Sequence, residues 1–221
     1  EFLGFCFFTI IIVIIYNSHT LIVMQTEYEA TFENINKDEI RDRLKKAGAV
    51  LVKIETLMKR YVFNLPNSQD GQPGWARVRD EGDKITMSFK RVNFGGTGKI
   101  EDQKEICLKI DNFDNGVEFL KALGCREKAY QESKREVWLI GATEICLDEW
   151  PFLEPFCEVE GENEEVVKEV SEKLGFDYSK ALFCAVGTLY ARKYGKYGLD
   201  EMKINNQTPR IVFAMKNPFE K

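Results

Sequence analysis

The chain has 221 residues, with 31 basic and 36 acidic side chains and a net charge of −5. That length allows one domain with a sizeable core, and the mildly acidic balance argues against a general nucleic-acid binder, which carries a basic excess. His19 is the only histidine and precedes the predicted folded part, which removes Ser-His and Cys-His catalysis and histidine-ligated zinc. The six cysteines (Cys6, Cys107, Cys125, Cys146, Cys157, Cys184) form no CxxC pair and are expected to be reduced thiols of a cytoplasmic protein.

Residues 2–16 are almost wholly apolar, Asn17 to Thr20 interrupt them, and Leu21 to Met24 follow. The run is shorter than the ~20 residues of a membrane-spanning helix, and no positive n-region marks a signal peptide. Segment 1–24 is therefore expected to be upstream sequence translated in frame, with a membrane anchor as the alternative. Residues 26–35 then read as a strand. Asn36 or Asp38 caps a helix over 37–48, where Ile40, Leu44 and Ala47 recur at helical spacing and Gly48 is the stop. Residues 49–64 look extended, and Asn67 to Gly74 is a turn-rich loop. Trp75 to Arg79 and Lys84 to Val92 form a predicted hairpin. Gly95-Gly96-Thr97-Gly98 marks a further loop; it lacks the first glycine of a phosphate loop, since Asn93 stands there. A strand over 104–110, a helix over 114–124, strands at 132–140, 143–149 and 156–160, and helices at 163–174 and 179–193 complete the body. A last strand, Ile211 to Met215, lies in the tail. With no linker or repeat inside it, the body 25–198 counts as one domain, followed by the tail 199–221. About eight strands with helices between them suit an α+β fold: an antiparallel eight-stranded β-barrel, closed or nearly closed, with helices packed outside.

The strands alternate. Ala76 and Val78 alternate with Arg77 and Arg79; Ile85, Met87 and Phe89 with Lys84, Thr86, Ser88 and Lys90. Ile106, Leu108 and Ile110 alternate with Glu105, Cys107 and Lys109, and Ile145 and Leu147 with Glu144, Cys146 and Asp148. One face is thus apolar and the other charged with both signs. Glu27 and Glu29 project together from one strand, as do Glu158 and Glu160 from another. A sheet with one wet face accounts for the alternation alone. Same-sign neighbours on one face repel unless an ion joins them. If the polar face turns inward, the acid pairs suit a hard divalent cation with oxygen ligands, and the arginines suit phosphate oxygens. A metal-bridged polyphosphate satisfies both sets. Trp75, Trp138 and Trp150 are expected in packing roles.

In these residues the chain resembles the CYTH family, the triphosphate tunnel metalloenzymes, which includes class IV adenylyl cyclases, thiamine triphosphatases and inorganic triphosphatases. The family's ExExK strand resembles Glu27-x-Glu29-x-Thr31, its basic pair Arg77 and Arg79, then Lys90. Its later positions are similar to Glu105, Lys134 and Arg135, Asp148, and the closing pair Glu158 and Glu160. The resemblance covers roughly residues 25–194 and implies a barrel whose tunnel binds a triphosphate and Mg²⁺ or Mn²⁺. It implies metal ligation by Glu27, Glu29, Asp148, Glu158 and Glu160, and phosphate binding by Arg77, Arg79, Lys90, Lys134 and Arg135. Catalytic roles fall on Glu29, Glu105 and Lys90. Two departures stand out: Thr31 replaces the motif lysine, and Ser133 stands where many relatives carry lysine. Lys59 or Arg60 on the neighbouring segment is expected to supply the missing charge at Thr31, with the choice between them open.

Three functions follow as expectations. Metal-dependent hydrolysis of an inorganic or organic triphosphate (ATP, thiamine triphosphate or tripolyphosphate) comes first. Cyclisation of ATP to cyclic AMP and pyrophosphate comes second, and non-catalytic nucleotide or polyphosphate binding third. No nucleic-acid partner is expected, and a homodimer is left open.

Overall fold

A computed structural model of the chain describes residues 25–66, 74–91, 99–197 and 210–219, the side chains at 25 and 101 excepted. Segment 1–24, the loop residues 67–73 and the Gly95 to Gly98 loop lie outside the described residues.

The chain begins with β1 (Gln25–Thr26) and β2 (Tyr28–Phe32), two pieces of one extended segment broken at Glu27. Helix α1 (Lys37–Lys46) follows, then β3 (Val50–Asn64), β4 (Trp75–Asp80), β5 (Ile85–Arg91) and β6 (Lys104–Ile110). After α2 (Phe113–Ala122) come β7 (Arg126–Ile140), β8 (Thr143–Glu149) and β9 (Phe156–Gly161). Helices α3 (Glu164–Lys173) and α4 (Val186–Tyr194) and the short β10 (Arg210–Ile211) complete the order.

Strand order is β1-β6-β5-β4-β3-β7-β8-β9-β2, antiparallel throughout. Because β1 and β2 are consecutive, the segment 25–32 pairs with β6 at one end and β9 at the other, and it joins the two edges of the sheet. The Glu27 N–H donates to the Gln103 carbonyl at 3.0 Å, and Gln103 Nε2 donates to the Glu29 carbonyl at 2.9 Å, tying the seam. The result is the expected eight-stranded antiparallel α+β barrel with helices outside.

Binary patterning decides which face goes where. The apolar residues of β2, β8 and β9 (Ala30, Ile145, Leu147, Val159) are buried against Ile40 and Leu44 of α1 and Val167 of α3. Those of β4 (Ala76, Val78) are buried against Phe113, Val117 and Leu120 of α2. A β-carbon on Gly116 would stand 2.5 Å from Ile110 Cδ1 and 3.2 Å from Val78 Cγ1, so a larger residue would force those side chains to shift where α2 meets the sheet. Each helix starts on an asparagine cap where the sequence offers one. Asn36 accepts from the Asp38 and Glu39 N–H groups, Asn112 from Asn115 N–H, and Asn163 from Val166 N–H. With the apolar faces outward under helices, the charged faces turn into the barrel.

Three expected elements differ. β7 starts at Arg126 rather than 132, because residues 126–131 pair along the second half of β3. The helix expected over 179–193 is broken: Tyr178–Lys180 is one 3-10 turn and α4 starts at Val186. Between them Leu182 exchanges two backbone hydrogen bonds with Thr31, at 2.9 and 3.0 Å, which extends the chain and overrides helix formation. Among the described tail residues only Arg210–Ile211 is strand; it runs parallel to β7 at Tyr130 and Gln131, beyond the point where β8 ends opposite Lys134. Ile211 and Phe219 of the tail join Trp150, Tyr190 and Tyr194 in a third core cluster. The five described cysteines are free thiols. Among the described residues no helix is long and apolar enough to cross a membrane.

Candidate functional site

Cross-strand register lines like charges up inside the barrel. Glu29 of β2 lies opposite Glu160 of β9, which lies opposite Glu144 of β8. Arg60 of β3 lies opposite Arg79 of β4. Like charges directly opposite one another destabilise a sheet, so each row needs countercharge.

The carboxylates find part of theirs in two basic groups. Lys90 Nζ stands 2.8 Å from Glu27 Oε2 and 3.6 Å from Glu29 Oε2. Arg135 donates through Nε and Nη2 to the two oxygens of Asp148, both at 2.8 Å, and Nη2 also donates to Glu158. Across the interior, Arg77 pairs with Glu105 at 2.9 Å and Arg79 with Glu81 at 2.8 Å. The fold therefore gathers Glu27, Glu29, Arg60, Arg77, Arg79, Lys90, Glu105, Arg135, Asp148, Glu158 and Glu160, contributed by segment 25–32 and strands β3 to β9, into one interior.

Lys59 and Lys134 do not join them. Each is the sequence neighbour of an inward arginine, and period two turns it outward. Lys59 reaches Asp80 at 3.5 Å and lies over the Phe113 ring, with 47% of its side chain exposed. Lys134 pairs with Glu149 at 3.2 Å and lies over the Phe213 ring. The charge expected from Lys59 or Arg60 can come only from Arg60 in this arrangement, and Lys134 adds none to the interior. Thr31 is buried and uncharged.

Sequence reasoning passed over Glu81 and Glu144. Glu144 carried a signal, because it shares the polar phase of β8 with Cys146 and Asp148. Glu81 carried none, since it precedes the Gly82 turn of the β4–β5 hairpin.

Burial and crowding shift the carboxyls in opposite directions. Burial, then the Glu158 charge, raises Glu29 well above the ordinary carboxylate range. Burial pushes Glu27 up to about 7 against the pull of Lys90, with a hydrogen bond to Glu105 adding to the rise. Asp148, fully buried, is pushed up to about 6 despite Arg135. Glu160 is also raised, by burial first. Burial is the largest influence on Glu105 and would raise it too, but Arg77, the hydrogen bond with Glu27, Lys90 and Ser88 together outweigh it and the carboxyl ends far below its ordinary value. Glu27 and Glu105 thus act as a pair holding one proton, on the Glu27 side. Burial opposes the Lys90 ammonium, yet Glu29 and Glu27 hold it protonated above the ordinary lysine value.

The donor set fits Mg²⁺ or Mn²⁺ in kind: all oxygen, several carboxylates facing one another, each raising the next. The ligating geometry is not assembled, however. Among the described residues no three Asp, Glu, Cys or His side chains come within reach of a common ion. Lys90 and Arg135 stand between the carboxylates instead. Cys146 adds no thiolate, since burial keeps its thiol protonated and it donates to Glu144 at 3.3 Å.

The comparisons with known proteins agree with this architecture. The CYTH domain family model matches residues 25–185. The fold is similar to the PH1012 protein of Pyrococcus horikoshii OT3, at 20% identity and a TM-score of 0.59 over 72% of this chain and 96% of that one. It is similar to a conserved protein of Pyrococcus furiosus, at 20% identity and 0.60 over 74% and 99%. It is also similar to a Vibrio parahaemolyticus protein described as a candidate adenylate cyclase, at 13% identity and 0.64 over 76% and 99%. No curated protein matches the chain. A match over most of the chain, with this barrel and this strand order, shows that the chain belongs to the CYTH domain family.

Proposed function

We propose that this protein is a metal-dependent phosphohydrolase that binds an inorganic or organic triphosphate inside the barrel. The observation that carries the reading is the pairing of an arginine wall with a carboxylate wall in one interior. Arginine keeps its charge at any physiological pH, so Arg77, Arg79 and Arg135 call for phosphate oxygens, which they can grip in bidentate fashion. Mg²⁺ or Mn²⁺, held by Glu29, Glu158 and Glu160, would neutralise phosphate charge and polarise the reacting phosphoryl group.

The chain's own residues divide the remaining work. Lys90 already bridges Glu27 and Glu29, and its three N–H donors suit a phosphate oxygen beside them. Glu29 is the base that takes the proton of the attacking water on its carboxylate oxygen, and burial beside Glu158 makes that carboxylate more basic than an ordinary one. Glu105 is held anionic by Arg77, a poor proton acceptor, and its role is to orient that guanidinium and anchor the proton of Glu27. The free thiols fit a cytoplasmic protein.

The test is product identification by phosphorus NMR after incubation with Mg²⁺ or Mn²⁺ and ATP, thiamine triphosphate or tripolyphosphate. Orthophosphate release supports the proposal. Cyclic AMP with pyrophosphate would make the protein an adenylyl cyclase instead, and binding without product would make it a polyphosphate binder.

A further inference from the structure

Arg60 differs from every other arginine of the interior. Arg77, Arg79 and Arg135 each form an ion pair with a carboxylate, whereas Arg60 forms none with any described residue. Only 5% of it is exposed. Its Nη2 donates to the Ser133 hydroxyl, its guanidinium lies over the Trp150 ring at 4.4 Å from the centroid, and its Nε is buried without a partner. A ring contact and one hydroxyl offset only part of what burying a guanidinium without a carboxylate partner costs. Burial, then the charges of Arg79, Arg77 and Arg135, weigh against the charged form, and Asp148, which forms no ion pair with Arg60, offsets them only in part. Arg77 Nε is a second buried donor without a partner on the same wall. Two such donors among four like charges mark a place for an anion.

What lies behind the guanidinium limits the anion. Trp150 is buried and meets Tyr190 edge-on at 6.5 Å, and both belong to the core cluster that the tail residues Ile211 and Phe219 complete. This side is filled with aromatic side chains, so the group seated against Arg60 carries no nucleoside or other bulky substituent.

Resting on the triphosphate reading above, we infer that Arg60, held between Ser133 and Trp150, is a specificity-determining residue that binds an unsubstituted terminal phosphate. Any organic part of the substrate then extends away from the Trp150 side. The neutral Ser133 is part of the device, because a cation there would collide with Arg60.

The test uses the full chain and isothermal titration at fixed salt, with tripolyphosphate, ATP and diadenosine triphosphate. Arg60→Met is expected to weaken tripolyphosphate and ATP on the order of 10- to 100-fold, the worth of a charge-assisted hydrogen bond in a dry site. Diadenosine triphosphate has no free terminal phosphate and should bind both proteins alike. Ser133→Lys added to Arg60→Met should restore tripolyphosphate affinity, a rescue that a merely structural arginine would not allow. Arg60→Lys, which keeps the charge but loses the planar fork, should show the intermediate loss even if the methionine variant fails to fold. If tripolyphosphate binds the wild type and each folded Arg60 variant within twofold, the Arg60 inference falls and the triphosphate reading stands. If diadenosine triphosphate loses as much as tripolyphosphate, the terminal-phosphate assignment falls. If the wild type binds no phosphate chain at all, with or without Mg²⁺, both fall.

Discussion

The two walls of the barrel manage crowded like charges by different means. The carboxylate wall (Glu27, Glu29, Glu158, Glu160) can neutralise itself: Glu27, Glu29 and Glu160 are shifted toward the protonated form, Glu27 shares a proton with Glu105, and the wall borrows Lys90 and Arg135. The arginine wall cannot, because a guanidinium does not give up its proton in a protein. Arg77 and Arg79 have a carboxylate each, and Arg60 has an aromatic ring and a hydroxyl. An acid cluster by itself is therefore weak evidence of a bound cation, whereas an arginine cluster with unpaired buried donors is stronger evidence of a bound anion.

The largest effects should come from stripping either wall of a group that meets substrate. Arg77→Ala and Glu29→Ala should each lower kcat with tripolyphosphate by about 10²- to 10³-fold, the cost of removing one preorganised charge-stabilising group. The two should differ in metal response: raising Mg²⁺ should recover part of the Glu29→Ala loss and none of the Arg77→Ala loss. Equal response would erase the distinction between the walls. Next comes the bridge between them. Arg135→Met leaves Asp148 and Glu158 buried without their cation, which should lower unfolding free energy by about 3 to 5 kcal/mol in a urea titration. An unchanged midpoint would mean that the two carboxyls are protonated already.

The pH dependence of stability sharpens the same contrast. Glu27 and Asp148 have folded values of about 7 and about 6, above the ordinary 4.5 and 3.8, so folding takes up protons. Their contribution is full below the unfolded values and is lost as pH rises through the folded ones. The metal-free protein should lose on the order of 3 kcal/mol through Glu27 alone between about pH 4.5 and 7. Glu105 and Glu158 shift downward and carry the opposite sign, but they titrate below this window. Mg²⁺ with tripolyphosphate should return the loss at pH 7.5. Urea midpoints that stay flat from pH 5 to 7.5 would contradict the raised values.

The smallest effects belong to the outer lysines. Lys59→Ala and Lys134→Ala should leave tripolyphosphate affinity within about twofold, since exposed pairs of this kind are worth little.

Much of this was legible in the sequence because strand alternation survives at one-residue resolution. Ala76-Arg77-Val78-Arg79 and Glu144 to Asp148 each declare two faces, and the first helix over the apolar one was marked by Asn36 at its start, whereas the caps Asn112 and Asn163 were not singled out. Which face turns inward was not declared by alternation; the paired like charges and the family resemblance supplied that. The start of β7 was hidden because it opens on three consecutive charged residues, Arg126-Glu127-Lys128, which show no alternation and no apolar phase. The break before α4 was hidden because it depends on Thr31, far away in the chain. Lys59 against Arg60 could not be settled from sequence, since register shifts along β3, one of them at Val62 and Phe63, confuse the phase of the strand. Metal geometry was beyond reach, because it turns on where Lys90 and Arg135 place their charges.

The most direct measurement is a crystal structure of the protein with tripolyphosphate and Mn²⁺, using the anomalous signal of manganese. Phosphate groups against Arg60, Arg77, Arg79 and Arg135, with a manganese peak beside Glu29, Glu158 and Glu160, are the predicted result. Phosphate bound instead at the outward lysines Lys59 or Lys134, with an interior free of both ligand and manganese, would contradict it.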